Sequence, residues 1–386
     1  MDYLSANRYF KIKKVIRYLR IYGLKRTIIK ILGQLYYAKR DNGWFYKVAS
    51  LVFKRSKNSR RNKIGLIGLG NFCFTTISYY LARNFGNTIG PVYDVDSDRS
   101  DIFINVYKGS VKAHSIDDVI NNKDVDLVFI ASNHASHAPY AVDCLNRGKS
   151  VHIEKPLAVN FEQAELLFNA IELNPNSKIF TGFNRPNSSL FFTLQDELHK
   201  QSGSVMINWF IAGHEIEDGH WYFEEKEGGR VLGNLCHWLD LSLEIVGLGN
   251  ALPCRISSAS NPNDNSNFIV NLNFGDGSSA SLTFSAKGHT FEGVREKLNV
   301  HKGDCLAYIN DFEELGIDVI DKKRRITLGK RDHGHEFNIL NSANMDTPVS
   351  LDYIRTTTLL SLCAKQAVEN GTQIILEKDF SVKEIK

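Results

Sequence analysis

The chain is expected to fold as an α/β protein in which a doubly wound parallel sheet is joined to a second, α+β domain with a large, mainly antiparallel open sheet. Three observations predict this. Between Lys63 and Phe183, apolar strands alternate with amphipathic helical runs at the rhythm of βα units. Beyond residue 186 the strands lengthen, and Gly275-Asp276-Gly277 joins two of them as a hairpin. The length of 386 residues exceeds what one hydrophobic core usually serves. The expected division is 1–62, a basic helical arm and linker; 63–185, the parallel-sheet domain; 186–350, the α+β domain; and 351–386, a final helix and polar tail.

Composition bounds the class. Hydrophobic content of 43% and charged content of 23% are those of a soluble globular protein. Six scattered cysteines without a C-x-x-C pair argue against a disulfide framework or a zinc site and fit a reducing, cytoplasmic setting. The formal net charge of +4 hides a split: residues 1–62 hold 17 of the 47 Lys and Arg but 2 of the 43 Asp and Glu, so a basic arm precedes a net acidic body.

In the arm, residues 8–38 carry Ile12, Val15, Ile16, Leu19 and then Leu24, Ile28, Ile31, Leu32, Leu35 at helical spacing, with basic residues opposite and Gly23 and Gly33 as punctuation. No apolar stretch approaches the roughly 20 residues of a spanning helix. Such a helix can lie in an anionic membrane interface, or pack on the body or another subunit; nucleic acid is not expected as a partner. Asn42 to Phe53 adds an aromatic segment, and Lys54 to Asn62 a polar linker.

The first strand, from Lys63, runs into Gly68-Leu69-Gly70-Asn71-Phe72-Cys73. The first glycine makes the turn. The second lets a pyrophosphate approach the backbone at the helix N-terminus, and the third position takes a small residue. Cysteine there is an imperfect match. A second strand, Thr88 to Tyr93, ends at Asp94, where a carboxylate accepts ribose hydroxyls and repels a 2′-phosphate; NAD is therefore favoured over NADP. Asp96 and Asp98 lie close enough to share that role. Ser115 caps a short helix with Asp118 three residues on. Val125 to Ala131 is an apolar strand opening into Ser132-Asn133-His134-Ala135-Ser136-His137.

The next strand is Ser150-Val151-His152-Ile153-Glu154-Lys155-Pro156. Proline cannot continue a ladder, so the strand is expected to stop at Lys155 with the lysine held extended. The carboxyl edge of such a sheet is where ligands bind, and a lysine there can move protons. Lys178 to Phe183 forms the last strand, ending in Asn184-Arg185-Pro186. In the second part, strands are expected at Val205–Ile211, Phe268–Phe274, Ser279–Ala286 and Glu296–Lys302. Gly228-Gly229 leads into a helix bearing Asn234, Cys236, His237 and Asp240, and a last helix spans Leu351 to Glu369.

In this order the motifs resemble the glucose–fructose oxidoreductase / inositol dehydrogenase (Gfo/Idh/MocA) family over residues 63 to 372. The residues concerned are Gly68-x-Gly70-x-x-Cys73, Asp94, Ser132-Asn133 with His137, Glu154-Lys155-Pro156, Gly182-Phe183-Asn184-Arg185 and Gly228-Gly229 … His237-x-x-Asp240. His220-Trp221, Gly229-Arg230, Cys236-His237 and Phe274-Gly275-Asp276-Gly277-Ser278 look most like a branch from surface-polysaccharide gene clusters.

The resemblance implies a Rossmann domain that holds NAD through Gly68, Gly70, Asn71, Phe72, Asp94, Ser132, Asn133, His137, Glu154, Lys155, Pro156 and Asn184. It implies a sugar or nucleotide-sugar substrate between the domains and a homo-oligomer, dimer or tetramer. Lys155 would contact the reacting hydroxyl and His237 would act as general base, with no metal. Arg185, Trp221 and Asn234 are further substrate candidates.

Many relatives carry an aspartate four residues before that histidine. This chain has Gly233, so either His237 works alone or Asp240 orients it. Other readings also stay open. Arg185 either clamps substrate or links domains, Trp221 stacks on a sugar or fills the core, and Lys330, Arg331, His333 and His335 reach a diphosphate or form a solvated run. The function expected is an NAD-dependent oxidoreductase of a sugar or nucleotide-sugar CH–OH group in cell-surface polysaccharide synthesis. The arm would place it at the inner membrane face. Its rivals are a free polyol or inositol dehydrogenase and a non-catalytic dinucleotide- or sugar-sensing protein.

Overall fold

The structure is a computed structural model that describes residues 8–37, 48–49, 52, 56, 60, 62–216, 219–260, 266–287 and 293–385. The expectations for 42–53 and 54–62 lie largely outside the described residues.

The first sheet has six parallel strands in the order β3-β2-β1-β4-β5-β6. They are β1 (Lys63–Ile67), β2 (Ile89–Tyr93), β3 (Val111–Lys112), β4 (Val125–Ile130), β5 (Ser150–Ile153) and β6 (Ile179–Thr181). Their near-continuous apolar runs reflect burial on both faces. One face carries the helices Ile116–Ile120, His137–Leu145 and Phe161–Leu173. The first of these has the capping box of Ser115 and Asp118.

The second face holds a separate core of Ile64, Leu66, Phe74, Phe103, Leu127 and Phe129. Two segments distant in sequence complete it. One is the helix His335–Asn344, whose Ile339 and Ala343 are buried there. The other is the N-terminal helix Arg8–Tyr37, whose Ile29, Leu32 and Tyr36 are at most 1% exposed. Tyr36 stacks on Phe74, ring centroids 3.8 Å apart, and its hydroxyl donates to Leu69 O at 2.8 Å. Both glycines of this helix have packing reasons. Gly23 breaks it with φ 76°, and a Cβ at Gly33 would lie 2.3 Å from the Thr75 methyl and 2.4 Å from the Asn71 amide oxygen. The second half of the arm is therefore a packed element of the first domain.

The second sheet has ten strands in the order β14-β13-β12-β11-β7-β10-β9-β8-β15-β16. These are β7 (Val205–Ala212), β8 (Cys254–Ser260), β9 (Asn267–Asn273), β10 (Ser279–Ser285), β11 (Arg295–Lys302), β12 (Cys305–Asn310), β13 (Glu314–Val319), β14 (Lys322–Thr327), β15 (Gln373–Leu376) and β16 (Val382–Ile385). The β7–β10 pair is parallel and the rest antiparallel. Residues alternate in and out along β7: Ile207, Trp209 and Ile211 face the helices, while Met206 and Phe210 are exposed.

Three details differ from expectation. The tail after the final helix, Leu351–Asn370, is two strands that widen the sheet. Residues 335–349 leave the second domain and run back onto the first: Val349 N donates to Ile179 O, and Asn338 Nδ2 to Thr181 O. Strand β5 ends at Ile153 rather than Lys155. Glu154 N still donates to Ile130 O, but Lys155 turns away to reach the second domain.

Candidate functional site

The cleft lies at the carboxyl edge of the first sheet, against the helical segment Val231–Val246 of the second domain. Gly68 has φ 86°, and a Cβ there would strike Ser132 N at 2.4 Å, so glycine is required where the turn crosses the end of β4. A Cβ at Gly70 would meet nothing within 4 Å. That leaves open space over the helix start at Asn71 and Phe72, which is what a pyrophosphate needs. Asp94 stands one residue past β2. Its Oδ2 accepts from Leu69 N at 2.7 Å and Oδ1 from Asp96 N at 2.8 Å, so it braces the glycine turn. These residues fit a dinucleotide. Cys73 is buried among apolar groups and burial lifts its thiol to about 12, so it packs and does not react.

At the end of β4, His137 Nδ1 lies 2.8 Å from Pro156 O and Nε2 3.2 Å from Ser132 O, and the neutral ring donates its one N–H to one of these carbonyls. It ties the loops after β4 and β5 together, and burial lowers its pKa. Asn133 Nδ2 donates to Glu227 Oε1 at 2.6 Å, and Ala135 N to Glu227 Oε2 at 3.1 Å. The buried Glu227 thus docks the second domain onto this loop. Sequence reading passed over it, because a Glu in a charged turn looks solvated. Glu154 is buried with its carboxylate against Gly182, where a Cβ would lie 2.3 Å from Oε2.

Lys155 spans the cleft. Its Nζ donates to Gly233 O at 2.6 Å, in a π-helical turn, Val231–Leu235, that precedes the helix Cys236–Val246. Such turns recur at functional sites because they leave backbone carbonyls unspent. His237 follows one turn later, with an edge-on contact to Phe183 and an Nδ1 that is shielded from solvent and has no partner among the described residues. Burial drives its pKa well below the usual imidazole value, helped by Arg185 and Lys155. The ring is neutral near pH 7, with a nitrogen free to accept a proton.

The space beside Gly233 is filled. A Cβ there would lie 1.9 Å from the Tyr222 hydroxyl, which is buried and has no hydrogen-bond partner among the described residues. Tyr222 thus occupies the place toward which a longer side chain at 233 would project. Only its aromatic run, Trp221 to Phe223, marked it in the sequence. Trp221 is 38% exposed, its ring 5.2 Å from that of His134 at the cleft rim. Asn234 accepts weakly from Arg230 Nη1 at 3.4 Å.

Two expectations are corrected. Arg185 is not a free substrate clamp. Its Nε donates to the fully buried Glu296 Oε2 at 2.8 Å, and its guanidinium lies 4.8 Å from the Trp238 ring. Glu296 also accepts from Trp238 Nε1 at 2.7 Å and faces His333 Nε2 at 3.1 Å. Burial alone would raise its pKa, but Arg185 and His333 hold it at about 2. Nor does Asp240 orient His237. Its Oδ1 is taken by the Tyr353 hydroxyl and by Thr357 Oγ1 on the last helix, and burial raises its pKa well above the carboxylate range. Asn184 turns from the cleft to donate to His333 O at 2.6 Å.

A Rossmann sheet with an open glycine turn, joined to an open-faced antiparallel domain, defines the class: a two-domain dinucleotide-binding protein. Residues 62–181 match the Gfo/Idh/MocA oxidoreductase family, described as having an NAD-binding Rossmann fold. Inositol 2-dehydrogenase of Salmonella typhimurium is 31% identical over 191 residues, covering 42% of this chain and 55% of that protein. The chain thus spans about half the length of the curated relatives it matches.

Among solved structures, UDP-N-acetylglucosamine 3-dehydrogenase from Acidithiobacillus ferrooxidans superposes with a TM-score of 0.66 at 17% identity, covering 81% of this chain and 99% of that one. GenD2 from gentamicin A biosynthesis, in complex with NAD, also gives 0.66, at 15% identity over 86% of this chain and 99% of its own. At these identities the likeness is one of fold.

Proposed function

We propose that the protein is an NAD-dependent oxidoreductase that transfers hydride to or from a hydroxyl-bearing carbon of a sugar or nucleotide sugar. The observation that carries this reading is that Lys155 Nζ crosses the cleft to Gly233 O, one helical turn before the His237 Nδ1, unpartnered among the described residues. When bound, NAD supplies the hydride acceptor or donor. The chain does the rest. The Lys155 ammonium stabilises negative charge on the substrate oxygen. Neutral His237 takes or returns the hydroxyl proton. Tyr222 and Trp221 close the cleft rim, and the Arg185–Glu296–His333 network fixes the floor.

Inositol 2-dehydrogenase among the relatives and a UDP-sugar dehydrogenase among the fold neighbours support polyols and nucleotide sugars as the substrates to test. NADH formation should be followed with UDP-sugars and free inositol. Lys155→Met should lower turnover by about 10³-fold while NAD still binds; undiminished turnover would overturn the assignment. NAD binding without turnover on any of these substrates would instead favour a sensing protein.

The finer reading places the enzyme in surface-polysaccharide synthesis at an anionic membrane face. It is supported by Tyr9, Ile12 and Ile16 on the first half of the N-terminal helix, 66%, 58% and 47% exposed amid basic residues. No helix among the described residues is long and apolar enough to cross a membrane. A homo-oligomer through the outer face of the second sheet is supported by exposed Met206, Phe210 and Leu306. Light scattering of the purified chain tests it.

A further inference from the structure

We propose that the cavity between the N-terminal helix, the glycine-turn helix and the loop 330–336 is a binding site for a diphosphate. The cavity holds about 620 Å³, within the range of ligand sites. Arg26 and Lys30 line one wall and Lys330 and Arg331 the facing one, with Tyr22, Phe72 and Tyr80 between.

The charge lining this cavity is unbalanced. Arg83 pairs with Glu336 at 3.4 Å, and Arg331 with Glu313 at 2.7 Å. Asp332 is spent on Ser189 and on Gly334 N. Among the described residues, Arg26 donates to neutral acceptors, Thr75 O at 2.8 Å and Thr76 Oγ1 at 3.4 Å. Lys30 lies 4.6 Å over the Tyr22 ring. Neither Lys30 nor Lys330 has a carboxylate partner among the described residues. Burial lowers the Lys30 pKa to about 8, and Arg26 and Arg331 add to the effect. Three cations on two walls without an anion are a costly arrangement that a doubly charged, two-centred ligand relieves.

The site is separate from the dinucleotide groove. Gly68, Gly70, Asp94, Ser132 and Lys155 do not line it; it adjoins that groove at Asn71 and Phe72, touches the network beneath the cleft at His333, and follows the helix outward through Thr75, Thr76, Tyr80 and Arg83. The cation-bearing walls give phosphate oxygens their partners, and the aromatic groups leave room for an organic remainder. That remainder belongs either to a soluble nucleotide or to a lipid, since both carry the same diphosphate chemistry. The site stands independently of hydride transfer.

Calorimetry on the full chain with inorganic pyrophosphate, UDP and NAD, together with sedimentation on neutral vesicles doped with a prenyl diphosphate, tests it. Wild type is expected to bind pyrophosphate. The double variant Lys30→Gln, Lys330→Gln should weaken this by about tenfold or more, with NAD affinity unchanged and thermal midpoint equal or higher, because it removes like-charge repulsion. UDP binding tighter than pyrophosphate assigns a soluble nucleotide; vesicle retention displaced by pyrophosphate assigns a lipid headgroup. Three results would overturn the proposal: no binding of pyrophosphate, undiminished pyrophosphate binding by the double variant, or displacement of pyrophosphate by NAD.

Discussion

Glu296 is where the polar contacts beneath the cleft converge, and its surroundings set a definite response to substitution. Arg185, His333 and Trp238 all address its carboxylate. Glu296→Gln would leave the buried Arg185 without a counter-charge, a loss of about 3–5 kcal/mol that urea unfolding would register. Because its pKa is held at about 2 against an ordinary 4.5, this pair stabilises the fold above about pH 4.5 and is lost as pH falls toward 2.

The histidines act in a higher window. Burial lowers His134 to about 3 and pushes His137, His237, His333 and His335 down as well. The unfolded chain therefore binds protons below about pH 6.5 that the folded chain refuses, and stability falls as pH drops through that value. His134→Gln should recover about 2 kcal/mol of the loss between pH 7.5 and pH 5, read as a flatter slope of unfolding free energy on pH. A slope unchanged from wild type would show that His134 is charged in the fold.

The place of Lys155 just past a strand end, before proline, was legible in the sequence; His237 was singled out by the family resemblance, since an apolar helix alone suits a core histidine. The partners of Arg185 and Asp240 were not, because they stand 111 and 117 positions away on elements whose docking no local pattern announces.

At the scale of elements, the π-helical turn Val231–Leu235 and the aromatic turn Trp221–Phe223 are one interlocking unit. Gly233 leaves the gap and Tyr222 fills it. Gly233→Ala should therefore destabilise the protein by about 1–3 kcal/mol through overpacking. Adding Tyr222→Ala, which empties the gap, should make the pair of changes cost less than their sum. Additive losses in a double-mutant cycle would show that the two side chains do not meet. The strands of the second sheet show how far alternation carries. Strands β7, β9, β10 and β11 were readable, their inward residues being apolar at every second position. Strand β14 was not, because Lys322-Lys323-Arg324-Arg325 reads as a solvated run. It is an exposed edge strand, where charge discourages further pairing.

At the scale of the whole molecule, the N-terminal helix joins two tasks that sequence reading kept apart. Its amphipathic pattern suited both a membrane surface and packing, and burial grows along the helix from Ile21 onward, although Leu24 and Ile31 stay exposed. Beyond Gly23, Ile29, Leu32 and Tyr36 seal the second face of the Rossmann core; before it, Tyr9, Ile12 and Ile16 remain exposed. The two halves should therefore fail differently. Leu32→Ala, in the sealing half, should cost about 2–5 kcal/mol and lower the thermal midpoint, as a cavity beside Phe74 would. Ile12→Asp with Ile16→Asp, in the exposed half, should leave the midpoint within a degree or so, because surface substitutions away from packed features cost little. The same pair should strip the protein from anionic vesicles at low salt, since a bound interfacial helix needs apolar residues under its basic face. If the Asp pair lowered the midpoint as Leu32→Ala does, the first half would be a packed element as well. If it left vesicle binding intact, the basic residues alone would account for the attraction and the helix would not enter the interface.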